Sequence, residues 1–377
     1  MRIGIGADWI GVRGGGVETY VRNLLPALAA LNTGDEFILY SHAAIPVNAL
    51  QGTENMRRSV VAPRVRAPFA FSRTLVNARL DVYHEQTLAS LLFGAPLVIT
   101  LHDVYFEHVP HEFAAVELIK RRLATFTTTH RAAAILTDSE FSKGDIVSRY
   151  GVSPHKITVV PLAAAPMYRL IHDQAVLASV KERHDIHEHF ILYAGVLKPN
   201  KNLPRVIEAY ARLRRTGVTR HRLVIAGGTA SWLRDDLRAV ARSSGYGDDI
   251  VFTGYVPDED LVALYNAADL FVHPSLFEGF GLPPLEAMAC GTAVITSNTT
   301  ALPEVVGDAA LTVDPLDVEA LAEAMAIVLG NTTLRSELEQ RGLERAAQFS
   351  WEHTARIVHG VYHTVGNKRH EALRCGL

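Results

Sequence analysis

The chain has 377 residues, 48 % hydrophobic and 20 % charged, the composition of an ordinary globular protein with room for two domains. A formal net charge of −3 removes the basic excess that nucleic-acid binding would bring. Two cysteines, Cys290 and Cys375, cannot build a disulfide framework, and no apolar run approaches the roughly 20 residues of a spanning helix. The opening Met1-Arg2-Ile3-Gly4-Ile5-Gly6 reads as a strand, not as a charged segment leading into an apolar signal core. The expected location is therefore cytoplasmic, with peripheral contact at the inner face of the cell membrane as an open question.

Short apolar runs then alternate with amphipathic stretches. In the first half the patterns predict strands at Arg2–Ala7, Phe37–Ser41, Val82–His84, Leu97–Leu101 and Ala134–Asp138. Helices are predicted at Glu18–Ala30, Ala114–Arg131 and Glu140–Tyr150. Pro161–His172 holds two prolines and no period, so it reads as a linker and a hinge candidate. Beyond it, strands are expected at Phe190–Gly195, Arg222–Ala226, Ile250–Thr253, Leu270–His273 and Ala293–Thr296. The intervening helices are expected at Pro204–Thr216, Trp232–Ser243, Glu259–Ala267 and Val318–Leu329, with a last one at Trp351–Thr364. Strand–helix alternation occurring twice predicts an α/β protein with two doubly wound, Rossmann-like domains.

Ligands of such sheets bind outside the carboxyl ends of the strands, and the candidate motifs fall there. Gly14-Gly15-Gly16 follows the first strand and opens a helix, either as a flexible turn or as a loop whose backbone N–H groups approach an anion. His102-Asp103 follows the fourth strand pattern. A lone histidine there is more often a hydrogen-bonding member of the structure than a catalyst. Lys198 and Lys201 follow Phe190–Gly195, where point charges would suit a diphosphate and solvated surface is the plain alternative. Lys120, Arg121 and Arg122 either meet an anionic membrane or form the solvated face of their helix. His184, His187 and His189, at spacings of three and two, are expected on solvated surface, not around a metal. Asp258-Glu259-Asp260 is expected to cap a helix.

The most informative stretch is Pro274-Ser275-Leu276-Phe277-Glu278-Gly279-Phe280-Gly281-Leu282-Pro283-Pro284-Leu285-Glu286. Gly279 and Gly281 free the backbone, Pro283 and Pro284 suit a first helical turn, and the helix stops near Gly291. Glu278 then lies in a loop and Glu286 in the opening turn, with unpaired N–H groups between them. A phosphate in the middle with a polyol on either side, a nucleotide-sugar, would fit. A first-turn glutamate favouring its helix dipole would fit as well.

This segment resembles the paired-glutamate signature of retaining glycosyltransferases of the GT-B fold and family-4 type, which include bacterial mannosyl-, glucosyl- and rhamnosyltransferases. Gly254-Tyr255-Val256, Leu261–Ala268, Asp269-Leu270-Phe271-Val272 and Leu302-Pro303-Glu304-Val305-Val306-Gly307 fit the same pattern in order. The resemblance implies two domains facing across a cleft: residues 1–165 on the acceptor side, residues 173–350 binding the donor, and a C-terminal helix, 351–377, crossing back to the first. It implies a hexosyltransferase that needs no metal or other cofactor, with a nucleotide-sugar donor and a saccharide or lipid-linked acceptor. His102, Glu278 and Lys201 would carry catalysis. Gly15, Gly16, Lys198, Lys201, Tyr255, Val256, Glu278, Gly279, Phe280, Gly281, Leu282 and Glu286 would bind the donor. Asp103, Tyr105 and His108 would line the acceptor side, together with His111. The Phe277–Pro283 form most resembles mannosyl- and rhamnosyl-type enzymes, making GDP-mannose the first expected donor and UDP-glucose the next. Competing readings are an epimerase or phosphorylase on the same architecture, or an idle sugar-nucleotide-binding subunit.

Overall fold

A computed structural model describes residues 1–11, 15–45, 50–61, 74–86, 95–228 and 231–374. Gly14 and Cys375 lie outside the described residues. The chain divides into two compact units, Met1–Leu162 with Ser350–Leu377, and Ala163–Phe349.

The first unit is built on a seven-stranded sheet in the order β3-β2-β1-β4-β5-β6-β7, every adjacent pair parallel. Its strands are β1 (Arg2–Gly6), β2 (Glu36–Ser41), β3 (Arg57–Val60), β4 (Val82–Glu85), β5 (Leu97–Thr100), β6 (Ala134–Thr137) and β7 (Ile157–Val159). The central strands are buried on both faces, as a sheet sandwiched between helices requires, and are apolar apart from residues such as His84 and Glu85 of β4. Helices α1 (Gly16–Ala30), α2 (Ala115–Arg131) and α3 (Glu140–Tyr150) follow β1, β5 and β6. The start of α3 is set by Ser139, whose side chain accepts from the Ser142 amide, and its end by Gly151 in the left-handed region.

The C-terminal helix, Trp351–Arg374, returns to this first unit. It runs past the Thr364 at which its apolar pattern ends. Thr354 Oγ1 donates to Pro161 O at 2.6 Å, and Tyr362 OH meets His84 Nδ1 at 2.6 Å. His84 Nε2 meets Thr100 Oγ1 at 2.8 Å, and Thr100 meets Tyr20 OH at 3.2 Å. Burial pushes the His84 imidazole down to about 3, so this polar chain is uncharged.

The second unit has a six-stranded parallel sheet in the order β10-β9-β8-β11-β12-β13. Its strands are β8 (Phe190–Ala194), β9 (Arg222–Ala226), β10 (Ile250–Gly254), β11 (Leu270–His273), β12 (Val294–Ser297) and β13 (Leu311–Val313). Around it run α4 (Gln174–Arg183), α5 (Leu203–Arg215), α6 (Ser231–Ser243), α7 (Asp258–Ala267), α8 (Leu282–Ala289), α9 (Leu302–Val306), α10 (Val318–Gly330) and α11 (Thr332–Ala346). Gly227, with φ +153°, knits the ends of β8 and β9: a Cβ there would lie 1.8 Å from Gly195 O, so only glycine fits.

Two local expectations need correction. The cap of α7 is Pro257 and no side chain caps it; Asp260 instead pairs with Arg183 and meets His184 Nε2 at 2.9 Å. Of the three histidines expected on the solvated surface only His184 departs, packed against Asp260, whereas His187 and His189 are exposed as expected, His189 meeting Asp269 at 2.8 Å.

In each sheet the chain reverses its direction of winding once, between β1 and β4 in the first unit and between β8 and β11 in the second. These switch points open crevices at the carboxyl ends of the flanking strands.

Candidate active site

In the second unit, the loops leaving β8 and β11 are tied together by two asparagines. Asn200 Nδ2 donates to Phe277 O at 3.0 Å, and Asn200 O accepts from Leu276 N at 2.8 Å and Ser275 Oγ at 3.0 Å. Asn202, held in the left-handed region at φ 62°, donates through Nδ2 to Pro274 O at 3.0 Å and Pro315 O at 2.6 Å. This stitching sets Lys201 against Glu278, with Lys201 Nζ donating to Glu278 Oε1 at 2.5 Å.

His273, the last residue of β11, reaches the same oxygen through Nε2 at 2.7 Å. It is fully buried and stacks between Tyr193, at 5.5 Å and 9°, and Phe271, at 5.8 Å and 15°. Burial holds its imidazole below the usual histidine range, against the pull of Glu278. The ring is thus neutral and donates from Nε2. For Glu278, burial works to raise the carboxyl, but Lys201 first and His273 next outweigh it and hold the group well below the usual carboxylate range. Glu278 is ionised at neutral pH. Among the described residues no group donates to its Oε2, which is open to a hydroxyl.

Gly281 precedes α8 at φ +120°, and a Cβ there would lie 2.7 Å from Leu302 Cδ2. Both the backbone angle and the close approach call for glycine. Pro283 and Pro284 carry no amide hydrogen and Leu285 N is taken by Gly281 O at 3.4 Å, so the donors at this helix start are the amides of Gly281 and Leu282. Phe280 turns inward against Phe349, rings 6.0 Å apart. Gly279 is buried.

Glu286 falls just beyond the first turn of α8, not within it, on a helix buried almost all round. Tyr265 OH donates to its Oε2 at 3.3 Å. Burial pushes its carboxyl up to about 8, so it is protonated at neutral pH. The two signature glutamates thus stand in opposite protonation states, set by environment alone.

Lys198 is exposed and makes no ion pair among the described residues. Tyr255 is exposed beyond β10, close to Gly228, while Val256 is buried. The structure therefore brings Lys201 and Glu278 into one cluster, places Gly281 and Leu282 just beyond Glu278 at the start of α8, and leaves Lys198 and Tyr255 exposed. His273 and the two asparagines belong to that cluster and are not singled out by sequence reasoning.

In the first unit, Gly15 sits at φ 65° before α1, and Gly16 is its first residue. His102 follows β5; its Nδ1 meets Asp138 Oδ2 at 2.7 Å and its ring lies edge-on to Tyr20 at 5.0 Å. Burial lowers the imidazole, but Asp138 outweighs this and leaves it raised. His102 Nε2 is buried without a partner. Asp103 Oδ1 accepts from Tyr105 N at 3.0 Å, Tyr105 OH donates to Glu112 Oε2 at 2.7 Å, and His108 Nε2 meets Asp145 Oδ2 at 2.5 Å. Metal-ligand residue types gather elsewhere, at Asp35, His359 and His363 and at His189, His221 and Asp269. Each aspartate is also engaged by a cation, the Met1 amine on Asp35 and Arg335 on Asp269.

Two doubly wound parallel-sheet units, each with polar side chains at the carboxyl ends of its strands, are the architecture of GT-B glycosyltransferases. The model of the group 1 glycosyl transferases matches residues 178–345, and that of glycosyltransferase family 4 matches residues 14–164. The O-antigen chain mannosyltransferase B of Escherichia coli is 37 % identical over 359 residues, covering 89 % of this chain and 93 % of that protein. The serotype-specific mannosyltransferase WbdA of Escherichia coli is 34 % identical over 243 residues, 64 % of this chain but 29 % of that much longer protein. Among solved structures, Anabaena Alr3699/HepE in complex with UDP and glucose superposes with a TM-score of 0.79 at 18 % identity, over 97 % of this chain and 100 % of that one. The chain belongs to the group 1, family-4-type glycosyltransferases and is a glycosyltransferase of the GT-B fold. Family membership sets aside the epimerase and phosphorylase readings.

Proposed function

We propose that this enzyme transfers mannose from GDP-mannose to a saccharide or lipid-linked saccharide acceptor in surface polysaccharide synthesis, with retention at the anomeric carbon, without a metal, and at the inner face of the cell membrane. The observation that carries the site is the Lys201–Glu278–His273 cluster, in the loop that runs into the Gly281 and Leu282 amides at the start of α8. Likeness to mannosyltransferases along nearly the whole chain supports the sugar.

In this reading Lys201, with Lys198 and the two amides, takes the diphosphate, supplying the charge a metal supplies elsewhere. Glu278 Oε2 accepts from a hydroxyl of the transferred sugar. Tyr255 and Val256 border the base, and Gly279 and Phe280 shape the turn between the glutamates. In the other unit, Gly15 and Gly16 approach the donor phosphate, His102 serves the reacting carbon, and Asp103, Tyr105 and His108 serve the acceptor. The acceptor hydroxyl attacks the face from which the nucleoside diphosphate departs. The C–O bond to phosphate breaks, the new glycosidic bond forms, and the departing phosphate takes the hydroxyl proton.

Melting temperature with GDP, UDP, dTDP and their sugars, each with and without EDTA, tests this. GDP and GDP-mannose are expected to raise it regardless of EDTA. A rise with UDP alone would replace the donor, and a rise abolished by EDTA would overturn metal independence.

Glu286 is assigned to the ribose hydroxyls, and its raised carboxyl gives that role a pH signature. A carboxylate accepts two hydroxyls better than a carboxylic acid does, so binding favours the ionised form. Nucleotide affinity should therefore rise with pH toward about 8, by up to roughly tenfold per pH unit, and level off above it. Calorimetry in buffers of different ionisation heat should register proton release at neutral pH. Glu286→Gln should bind more weakly with a flat profile; a flat wild-type profile would reject the role.

A further inference from the structure

Helix α2 carries its faces the wrong way round for a helix whose outer side meets only water. Its buried residues are threonines, Thr125, Thr128 and Thr129, of which Thr129 Oγ1 bonds back to Thr125 O at 2.7 Å. Leu118 packs on the core beside them, but its other large apolar residues point outward: Val116 is 65 % exposed, Ile119 63 %, Leu123 65 % and Phe126 51 %. At 3.6 residues per turn these four form one continuous stripe on the side opposite the threonines. A contiguous outward apolar stripe marks an interaction surface.

The charges around it indicate the partner. The helix carries Lys120, Arg121, Arg122 and Arg131 against the single acid Glu117. Glu117 pairs with Arg121 at 2.7 Å, and Glu107 from outside the helix pairs with Arg122 at 2.7 Å. Lys120 makes no ion pair among the described residues. By helical angle Lys120 flanks the stripe on one side and Arg122 on the other. An apolar stripe edged by long basic side chains fits a helix lying in the plane of a membrane, with stems along the acyl boundary and cations among phosphates. We infer that α2 docks this protein on an anionic lipid surface. The inference deepens the membrane-face part of the reading above and stands independently of donor and sugar.

Flotation with phosphatidylglycerol–phosphatidylcholine vesicles, against phosphatidylcholine alone, tests it. The wild type should float with anionic vesicles and be released by salt. The double variant Ile119→Ser, Leu123→Ser should lose binding by about tenfold or more, and Lys120→Glu by several-fold. Both alter exposed side chains, so melting temperature and GDP affinity should match the wild type. A wild type that ignores anionic vesicles, or a double variant that floats equally well, would overturn the proposal. So would a concentration-dependent dimer, abolished by the double variant, in a protein that binds no vesicles. Failure of the donor reading would show instead as absent GDP binding with flotation intact.

Discussion

Glu278→Gln should reduce turnover by about 10²- to 10³-fold while leaving nucleotide affinity within about threefold of wild type. The substitution keeps shape and an acceptor oxygen, so His273 and Lys201 retain a partner at the position of Oε1. It removes the negative charge that Lys201 and His273 hold in place at neutral pH. A charge aimed at the sugar acts on the positive character that grows at the anomeric carbon, which the ground state lacks. The loss should thus fall on kcat, read from nucleoside diphosphate release at saturating donor. A variant with kcat within about threefold of wild type would remove Glu278 from the chemistry.

Lys201→Met should instead damage the fold first. Lys201 and Glu278 are both largely buried, and methionine fills the stem of the lysine while deleting its ammonium. Glu278 is then left with only a neutral imidazole. Breaking a buried pair from one side costs about 3–5 kcal/mol, which for a unit of this size lowers the melting temperature by roughly 6–20 °C. The pH dependence has a definite sign. In the wild type Glu278 is depressed, so its contribution is present above the unfolded carboxylate value of about 4.3 and is lost only as pH falls through the depressed one. In the variant burial prevails and the carboxyl rises, so the penalty shrinks as pH falls toward about 4.3. Adding Glu278→Gln to Lys201→Met should recover most of the stability, since no buried charge then lacks a partner. A Lys201→Met protein melting within about 2 °C of wild type would show that the pair carries little.

Much of the frame is legible in sequence, for identifiable reasons. Glu140–Tyr150, Arg222–Ala226 and Leu270–His273 are predicted to the residue because apolar runs meet a cap, a glycine or a polar break. β3 escapes because an edge strand written Arg57-Arg58-Ser59-Val60 has no apolar run. β7 and β13, three residues each, are too short to show a period. Within the site, Lys201 and Glu278 stand out because both occupy loops that follow strands. His273 does not, because it completes a buried strand and reads as part of it; its signal is a histidine ending that strand five residues before Glu278. The protonation of Glu286 was latent in Leu285-Glu286-Ala287-Met288, a helix segment with scarcely another polar side to turn outward, yet only packing reveals the shift.

The return of Trp351–Arg374 to the first unit has a consequence for biosynthesis. The second unit is one uninterrupted segment and can close as soon as it has been made. The first unit emerges earlier yet lacks Tyr362, the partner of His84, until the whole of the second unit has been made. Of the two units, the one whose synthesis starts earlier is therefore the one that finishes later, because the whole sequence of its neighbour lies between its two parts.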